Sequence, residues 1–348
     1  DPSFVPALAA RFAPDRLRTF SVRFETPEFD ETAFQLEMAE ALGTEHSSVF
    51  CRADDIGSAF PSVIRHTERP VLRTAPAPLY MLSHLVREEG FKVVLTGEGA
   101  DEVFGGYDIF KEAKLRRFCA RQPQSRVRPL LFRKLYPYMP KMQAQSAAYL
   151  KAFFATDLDA TGDPLFSHLP RIALTSRIKE FYSPDMRSAT AQVDVVSDLM
   201  ATLPTDFARW PALSRAAYLE MTHLLPSYLL GSQGERMSMA HGVEGRFPFL
   251  DHRLYEFAAA LPARSKLRGL HEKDILRRAA ASIVPPEVTA RGKQPYRAPD
   301  APSFFGAHQP EYVDALLDQS SIRESGIFEP RAVDGLLRRC RAGRVTGF

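Results

Sequence analysis

Apolar and polar positions along the first hundred residues predict strands and helices in turn. The segment 18-RTFSVRF-24 alternates with β-branched and aromatic residues, as strands do. The segment 30-DETAFQLEMAEALG-43 begins with an Asp cap and ends on Gly, which is the punctuation of a helix. Further elements are predicted as helices over 3–12, 54–66 and 78–89, and as a strand over 46–50. Strands that alternate with helices predict an α/β fold with a parallel sheet wrapped by helices.

The run 92-KVVLT-96 predicts one more strand, parallel and fully buried, which is followed at once by glycines and acids. In open parallel sheets, ligands bind beyond the carboxyl ends of the strands. Glu98, Asp101 and Glu102 would therefore lie at the ligand edge, on a backbone that glycine allows to approach a ligand closely. An Asp at this edge suits Mg²⁺ shared with phosphate oxygens. The alternative is a solvated loop in which an Asp caps the next helix.

After Tyr107 the pattern changes to a large, mainly helical portion that mixes basic and aromatic residues. The formal net charge of +3 is too small to indicate nucleic acid or a membrane surface as a partner. No apolar run reaches the roughly 18–20 residues that span a bilayer. Three widely spaced cysteines show neither a disulfide framework nor zinc spacing, and they suit a reduced compartment, the cytoplasm.

Several segments, in chain order, resemble the glutamine-dependent asparagine synthetases. The segment 95-LTGEGADEVFGGY-107 is similar to the LSGEGSDEVFGGY motif of that family. Further matches are 29-FDETAFQLEMAEALGTEH-46, 72-LRTAPAPLYMLS-83, 235-ERMSMAHGVEGRFPFLDHR-253, 272-EKDILRRA-279 and 292-GKQPYRAP-299. The resemblance implies a single synthetase domain over 1–348, of the adenine-nucleotide α-hydrolase or PP-loop type. Its nucleotide-binding α/β part would span about 1–107, and its mainly helical part about 108–348.

The resemblance also implies a binding site for ATP and Mg²⁺. Asp1 and Asp101 would ligate Mg²⁺ on the ATP phosphates. Val22, together with the backbone of Thr96 and Gly97, would contact adenine.

Four side chains would carry the chemistry. Glu98 resembles the family's essential Glu, which would take a proton from the incoming ammonia. Lys273 and Lys293 would neutralise charge on the pyrophosphate and on the phosphorus under attack. Arg73 would contact phosphate or the substrate carboxylate, or else would form a structural ion pair.

The function implied is ATP-dependent amidation of aspartate or a related acid through an acyl-AMP, with ammonia taken from glutamine. The family's N-terminal glutaminase domain and the glycines of its SGGxDS loop are not in this sequence, so both are expected upstream of Asp1. The partners expected are these small molecules, with a homodimer at most.

Two alternatives stay open. One is an amide- or lactam-forming synthetase that acts on another carboxylate or on an intramolecular amine. The other is a non-catalytic nucleotide-binding module.

Overall fold

Four short strands form two parallel pairs in the computed structural model, which describes residues 3–13 and 17–344. Strand β1 (Arg18–Phe24) pairs with β2 (Glu45–Cys51), with Arg18 opposite Glu45. Strand β3 (Val93–Leu95) pairs with β4 (Glu244–Arg246), with Val93 opposite Glu244. The predicted mixed α/β class is confirmed. The sheet itself differs from the prediction, because within the described ranges it consists of two separate two-stranded pieces.

Helices make up most of the remaining structure. The α-helices of the described residues are α1 (Phe4–Phe12), α2 (Thr32–Leu42), α3 (Ala53–Thr67), α4 (Pro76–Glu88), α5 (Ala100–Phe104), α6 (Asp108–Ala120), α7 (Pro140–Gln143), α8 (Ala147–Phe154), α9 (Leu169–Ser176), α10 (Pro184–Ala189), α11 (Val195–Ala201), α12 (Ala212–Leu219), α13 (Arg236–Met239), α14 (His252–Ala260), α15 (Ala263–Lys266), α16 (Asp274–Ala280), α17 (Pro286–Ala290), α18 (Pro302–Phe305), α19 (Glu311–Leu317), α20 (Gln319–Ser325) and α21 (Pro330–Arg341). A π-helix (Glu220–Glu235) connects α12 to α13. None of the helices described is both long and apolar enough to cross a membrane.

The first two predicted elements illustrate how local sequence sets the boundaries. Strand β1 has the predicted bounds. Helix α2 ends where Gly43 takes a left-handed φ of 62°, which costs glycine little. The predicted Asp cap of this helix is wrong, because Asp30 turns back toward β1 and accepts a hydrogen bond from the Phe24 N–H at 3.0 Å. Glu31 occupies the N-cap position instead.

Two apolar clusters hold distant parts of the chain together. The first packs β1, β2, α3 and α4 against later residues, and consists of Val22, Phe24, Cys51, Ile56, Val63, Ala77, Met237 and Ala298. The second joins α1, α5, α14 and α16, and consists of Val5, Ala100, Val103, Phe104, Phe249, Ala258 and Leu276. Burial of this apolar surface holds α5 and α16 side by side. The polar residues at their starts are thereby brought together.

Strand β3 is parallel, as predicted, but the prediction that it is fully buried is wrong. Val93 is 40% exposed and Leu95 is 50% exposed. Among the residues described, β4 pairs with one side of β3, and the other side has no strand against it. The partner strand β4 was not predicted at all, since three residues centred on Gly245 carry too little pattern.

Candidate active site

The turn between β3 and α5 carries the acids found in the sequence. Gly99 precedes α5 with a left-handed φ of 91°, and Gly105 follows it with a φ of 74°. A Cβ on Gly99 would also lie 2.2 Å from a methyl carbon of Leu250, so both backbone conformation and space require glycine there. The turn is therefore tight, and Asp101 comes to lie in the first turn of a packed helix.

Asp101 lies between two lysine ammonium groups. Its Oδ1 is 2.9 Å from Nζ of Lys273, and its Oδ2 is 2.8 Å from Nζ of Lys293. All three side chains are at least four-fifths buried. Burial alone would raise the pKa of Asp101, but the two lysines outweigh burial and hold that pKa well below its usual range. This Lys273–Asp101–Lys293 cluster thus combines two cations with one anion and favours a further anion.

Glu272 holds the backbone of Lys293 in place, although sequence reasoning did not single it out. Its carboxylate accepts a hydrogen bond from the Lys293 backbone N–H at 3.0 Å and pairs with Lys111 at 2.8 Å and Arg277 at 2.6 Å. Burial would raise the pKa of Glu272, but its positive neighbours lower this pKa to about 2. The largest lowering effects are the hydrogen bond from Lys111 and the charge of Lys111. The adjacent Lys273 has a left-handed φ of 52°. Glu272 is next to Lys273 in the HEKDIL motif, and this adjacency was the available signal.

The other two acids of the turn differ from Asp101 in their titration. The pKa of Glu98 is raised to about 7. Burial is the largest cause; the charge of Lys293 opposes the rise, and the charge of Asp101 adds to it. Burial, assisted by Asp101, raises the pKa of Glu102 to about 8, and Glu102 accepts a hydrogen bond from the Tyr107 hydroxyl at 2.7 Å. Near neutral pH, Asp101 is therefore ionised while Glu98 exchanges a proton readily. A carboxyl that titrates near the working pH is suited to acid–base chemistry.

A cleft of about 390 Å³ connects the cluster to strand β1. Val22, Tyr296, Lys273 and Lys293 all line this cleft, so three of the predicted site residues face one space. Its volume lies in the range of small-molecule sites.

Thr96 and Gly97 lie at the end of β3, where their backbone groups have local partners. Thr96 N–H donates to the Arg246 carbonyl at 3.0 Å, and the Gly97 carbonyl accepts from Ala100 N–H at 3.3 Å. The Thr96 hydroxyl accepts from Glu98 N–H at 3.5 Å. These contacts set the direction of the turn that carries Glu98.

Arg73 forms an ion pair and is not among the residues that line the cleft. Its guanidinium is 3.4 Å from Asp300, whose other oxygen accepts hydrogen bonds from the N–H and hydroxyl of Thr74. Arg73 therefore has a structural ion pair in this structure, and its contact with phosphate or with the substrate carboxylate stays a prediction. Asp1, predicted as a metal ligand, lies outside the described residues.

The donor set at the cluster limits how Mg²⁺ could bind. In the part of the chain that the structure describes, no three His, Cys, Asp or Glu side chains form a metal-binding group. Mg²⁺ is commonly held by one or two carboxylates together with substrate phosphates. Both oxygens of Asp101 are engaged by lysine ammonium groups, so a Mg²⁺ at Asp101 would need phosphate oxygens as further ligands and does not fit as an ion held by the described residues alone.

Gly106 leaves room for the cluster, and replacing it tests the packing. A Cβ at this position would lie 1.9 Å from Oδ1 of Asp101 and 3.0 Å from Cε of Lys273. We expect Gly106→Ala to displace Asp101 and to lower the melting temperature, because a buried ion pair is lost. Gly162→Ala is the matched control, since nothing lies within 4 Å of its added Cβ. Equal melting temperatures of the two variants, measured by calorimetry, would contradict this view of Gly106.

These features define an α/β protein whose cleft ends at a lysine cluster suited to phosphate groups. The chain belongs to the asparagine synthase family, whose profile matches residues 1–347.

Curated relatives agree with this family. A putative glutamine-hydrolyzing asparagine synthetase of Mycobacterium tuberculosis is 31% identical over 310 residues, covering 86% of this chain and 43% of the relative. Glutamine-hydrolyzing asparagine synthetase 1 of Bacillus subtilis is 29% identical over 301 residues, covering 86% of this chain and 45% of the relative. The amidase chyE of Penicillium rubens is 28% identical over 302 residues, covering 82% of this chain and 44% of the relative. The chain thus spans less than half the length of the relatives described.

Proposed function

We propose that this chain is the synthetase part of an ATP-dependent amide-forming ligase. It would activate aspartate or a related carboxylate as an acyl-AMP, release pyrophosphate, and pass the acyl group to ammonia. The observation that carries the proposal is the Lys273–Asp101–Lys293 cluster at the end of a nucleotide-sized cleft, with Glu98 in the adjoining turn. Membership of the asparagine synthase family supports the same chemistry.

The first step would be activation of the carboxylate. A carboxylate oxygen attacks the α-phosphorus of ATP, the bond to the bridging oxygen breaks, and pyrophosphate leaves. Lys273 and Lys293 would neutralise the charge on the departing pyrophosphate, and Asp101 would hold both ammonium groups in place. Mg²⁺, when bound with ATP through Asp101 and Asp1, would supply further charge neutralisation.

The second step would be amide formation. Ammonia attacks the acyl carbon, the acyl–oxygen bond breaks, and AMP leaves with the former carboxylate oxygen. Glu98, with its pKa raised to about 7, would take a proton from the attacking nitrogen. Val22 and the backbone of Thr96 and Gly97 would contact the adenine.

The arrangement of the chain would follow the PP-loop type. Residues of about 1–107 would form the nucleotide-binding part, and about 108–348 the mainly helical part. Lys273 and Lys293 belong to the second part and Asp101 to the first, so the reaction would need both parts of the chain.

The bacterial relatives are named glutamine-hydrolyzing, which supports a glutaminase domain as the source of ammonia. A homodimer at most is proposed.

Pyrophosphate release tests the class of reaction. We expect the whole gene product to form AMP and pyrophosphate from ATP only when a suitable carboxylate is present. Aspartate and a set of related acids would be supplied in turn, with ammonia or glutamine, and pyrophosphate would be measured by a coupled assay. Formation of ADP, or no pyrophosphate with any acid, would contradict the proposal.

A further inference from the structure

Lys111 of α6 lies in a buried group of charges beside the lysine cluster. Its Nζ is 3.0 Å from Oδ1 of Asp108, one turn earlier in the helix, and 2.8 Å from Oε2 of Glu272. All three side chains are at most 9% exposed. A buried charge is costly unless opposite charges and hydrogen bonds compensate it. The fold therefore encloses this ammonium group between two carboxylates, one from α6 and one from the turn that leads into α16.

The two oxygens of the Glu272 carboxylate have different partners. Oε2 pairs with Lys111. Oε1 accepts hydrogen bonds from the Lys293 backbone N–H at 3.0 Å and from Arg277 at 2.6 Å. The terminal torsion of a Glu side chain is broad, so a carboxylate held at one oxygen only turns easily. Lys111, by holding Oε2, therefore fixes the orientation in which Oε1 meets the Lys293 N–H.

Lys293 needs this side-chain partner because its segment has no regular secondary structure. Residues 291–299 form neither helix nor strand. The Glu272 carboxylate supplies the hydrogen bond that a helix or a sheet would otherwise give to the Lys293 N–H. From this anchored backbone, the Lys293 side chain extends to Oδ2 of Asp101. The position of the Lys293 ammonium group is thus set in part by the Glu272 carboxylate.

Lys111 is placed to act through its neighbours and not on a ligand. Lys273 and Lys293 line the cleft, whereas Lys111, Asp108 and Glu272 are not among the described residues that line it. Helix α6 follows α5, the helix that carries Asp101, after three residues. One short stretch of chain therefore holds Lys293 at both ends, its side chain through α5 and its backbone through α6.

We propose that Lys111 is a positioning residue for the phosphate-binding lysines and that it acts through Glu272. Removing its charge would free Oε2 of Glu272, loosen the hydrogen bond to the Lys293 N–H, and let the Lys293 ammonium group leave its place beside Asp101. The ligands affected are pyrophosphate and the phosphate groups of a nucleotide, so the inference rests on the proposed function.

Exchange of the Lys293 amide tests the positioning step without any ligand. Lys111→Met keeps the length of the side chain and removes its charge. In this variant the Lys293 amide should exchange at least about 10-fold faster than in the unsubstituted protein, because its hydrogen bond is loosened. The Thr96 amide, which donates to the Arg246 carbonyl, is the internal reference and should not change. Lys111→Arg keeps the charge and should restore slow exchange at Lys293.

Arg171→Met is the matched control variant. Arg171 pairs at 2.6 Å with Glu220, whose side chain is 0% exposed, so this change also removes a cation from a buried carboxylate. The other partner of Glu220 is His168, and neither belongs to the lysine cluster. A general loss of stability would therefore appear in both variants, whereas faster exchange at Lys293 should appear only in Lys111→Met.

Pyrophosphate binding tests the consequence for the site. Calorimetric titration with inorganic pyrophosphate should give an affinity about 10-fold lower for Lys111→Met, and a nearly unchanged affinity for Lys111→Arg and Arg171→Met. Neither amide exchange nor this titration needs turnover. Pyrophosphate binding of this pattern, without amide formation from any acid, would contradict the proposed reaction and still support the role of Lys111.

Three results would overturn the role of Lys111. One is unchanged exchange of the Lys293 amide in Lys111→Met, another is unchanged or undetectable pyrophosphate binding across the variants, and the third is a Lys111→Arg protein that behaves like Lys111→Met. If Lys111→Met does not fold, Lys111→Gln takes its place, since it keeps an N–H donor without the charge. Its losses by the same two measurements should be at least about 3-fold.

Discussion

Glu98→Gln is expected to lower the rate of amide formation by about 10²–10⁴-fold, the usual effect of losing one acid–base group. Gln keeps the shape of the side chain but cannot accept the proton from ammonia. In the unsubstituted protein, the rate should rise with pH through about 7, because Glu98 must be ionised to act as a base. At a constant concentration of free NH₃, this rise should vanish in the variant. Amide formed per folded molecule, measured from pH 5 to pH 9, is the readout.

Thermal unfolding separates this role from a structural one. The folded-state pKa of Glu98 is above its ordinary value of 4.5, so its neutral form stabilises the fold at low pH. That stabilisation is lost as the pH rises through about 7. The Gln variant does not titrate, so its melting temperature should match the unsubstituted protein below the ordinary pKa of 4.5 and exceed it above pH 7.

Glu102→Gln is the matched control for Glu98. Burial also raises the pKa of Glu102, but the carboxyl of this side chain accepts a hydrogen bond from the Tyr107 hydroxyl. We expect its substitution to leave the pH dependence of the rate unchanged. If Glu98→Gln keeps a near-normal rate and pH profile while melting far lower, Glu98 is structural and its assignment is wrong.

Asp101→Asn should be the most destabilising single change in the site. It leaves Lys273 and Lys293 close together without their shared anion, both largely buried. Breaking a buried ion pair by removing one partner costs about 3–5 kcal/mol of unfolding free energy. Because the pKa of Asp101 is held low, its contribution is present at neutral pH and is lost only on strong acidification. Urea unfolding at pH 7 measures the loss.

Pyrophosphate binding and the Mg²⁺ requirement test the functional role of Asp101 in the same variant. Inorganic pyrophosphate should raise the melting temperature of Asp101→Asn more than that of the unsubstituted protein, because it replaces the missing anion. Activity should also need more Mg²⁺, since one carboxylate ligand is lost. Asp314→Asn, which removes an exposed partner of Arg341, is the control and should behave like the unsubstituted protein. An Asp101 variant with unchanged stability and unchanged Mg²⁺ requirement would contradict both roles.

Local patterns predicted the strands and helices of the first hundred residues because those elements are long and clearly bounded. The bounds of β1 follow from 18-RTFSVRF-24, and the end of α2 follows from Gly43. Burial of 93–95 was predicted from apolarity alone, which carries no information about whether a neighbouring strand is present. Strand β4 was missed because it has only three residues and pairs with β3 across 151 positions of sequence, as Val93 does with Glu244. No local pattern indicates such a pairing.

The site was predictable only in part for the same reason. The turn that carries Glu98 and Asp101 was found from a strand followed by glycines and acids. That Lys273 and Lys293 would meet Asp101, across 172 and 192 positions, followed from the family resemblance and not from periodicity. Glu272 was overlooked because an acid beside a lysine is common in sequences. Its effect depends on Lys111 and Arg277, which reach it only in the folded chain.

The fate of a carboxylate oxygen tests the central claim most directly. The acid substrate would be labelled with ¹⁸O in both carboxylate oxygens and incubated with the whole gene product, ATP, Mg²⁺ and ammonia. If the carboxylate attacks the α-phosphorus and ammonia then displaces AMP, each AMP molecule carries one ¹⁸O atom, which mass spectrometry detects. Unlabelled AMP, or ADP as the nucleotide product, would contradict the account.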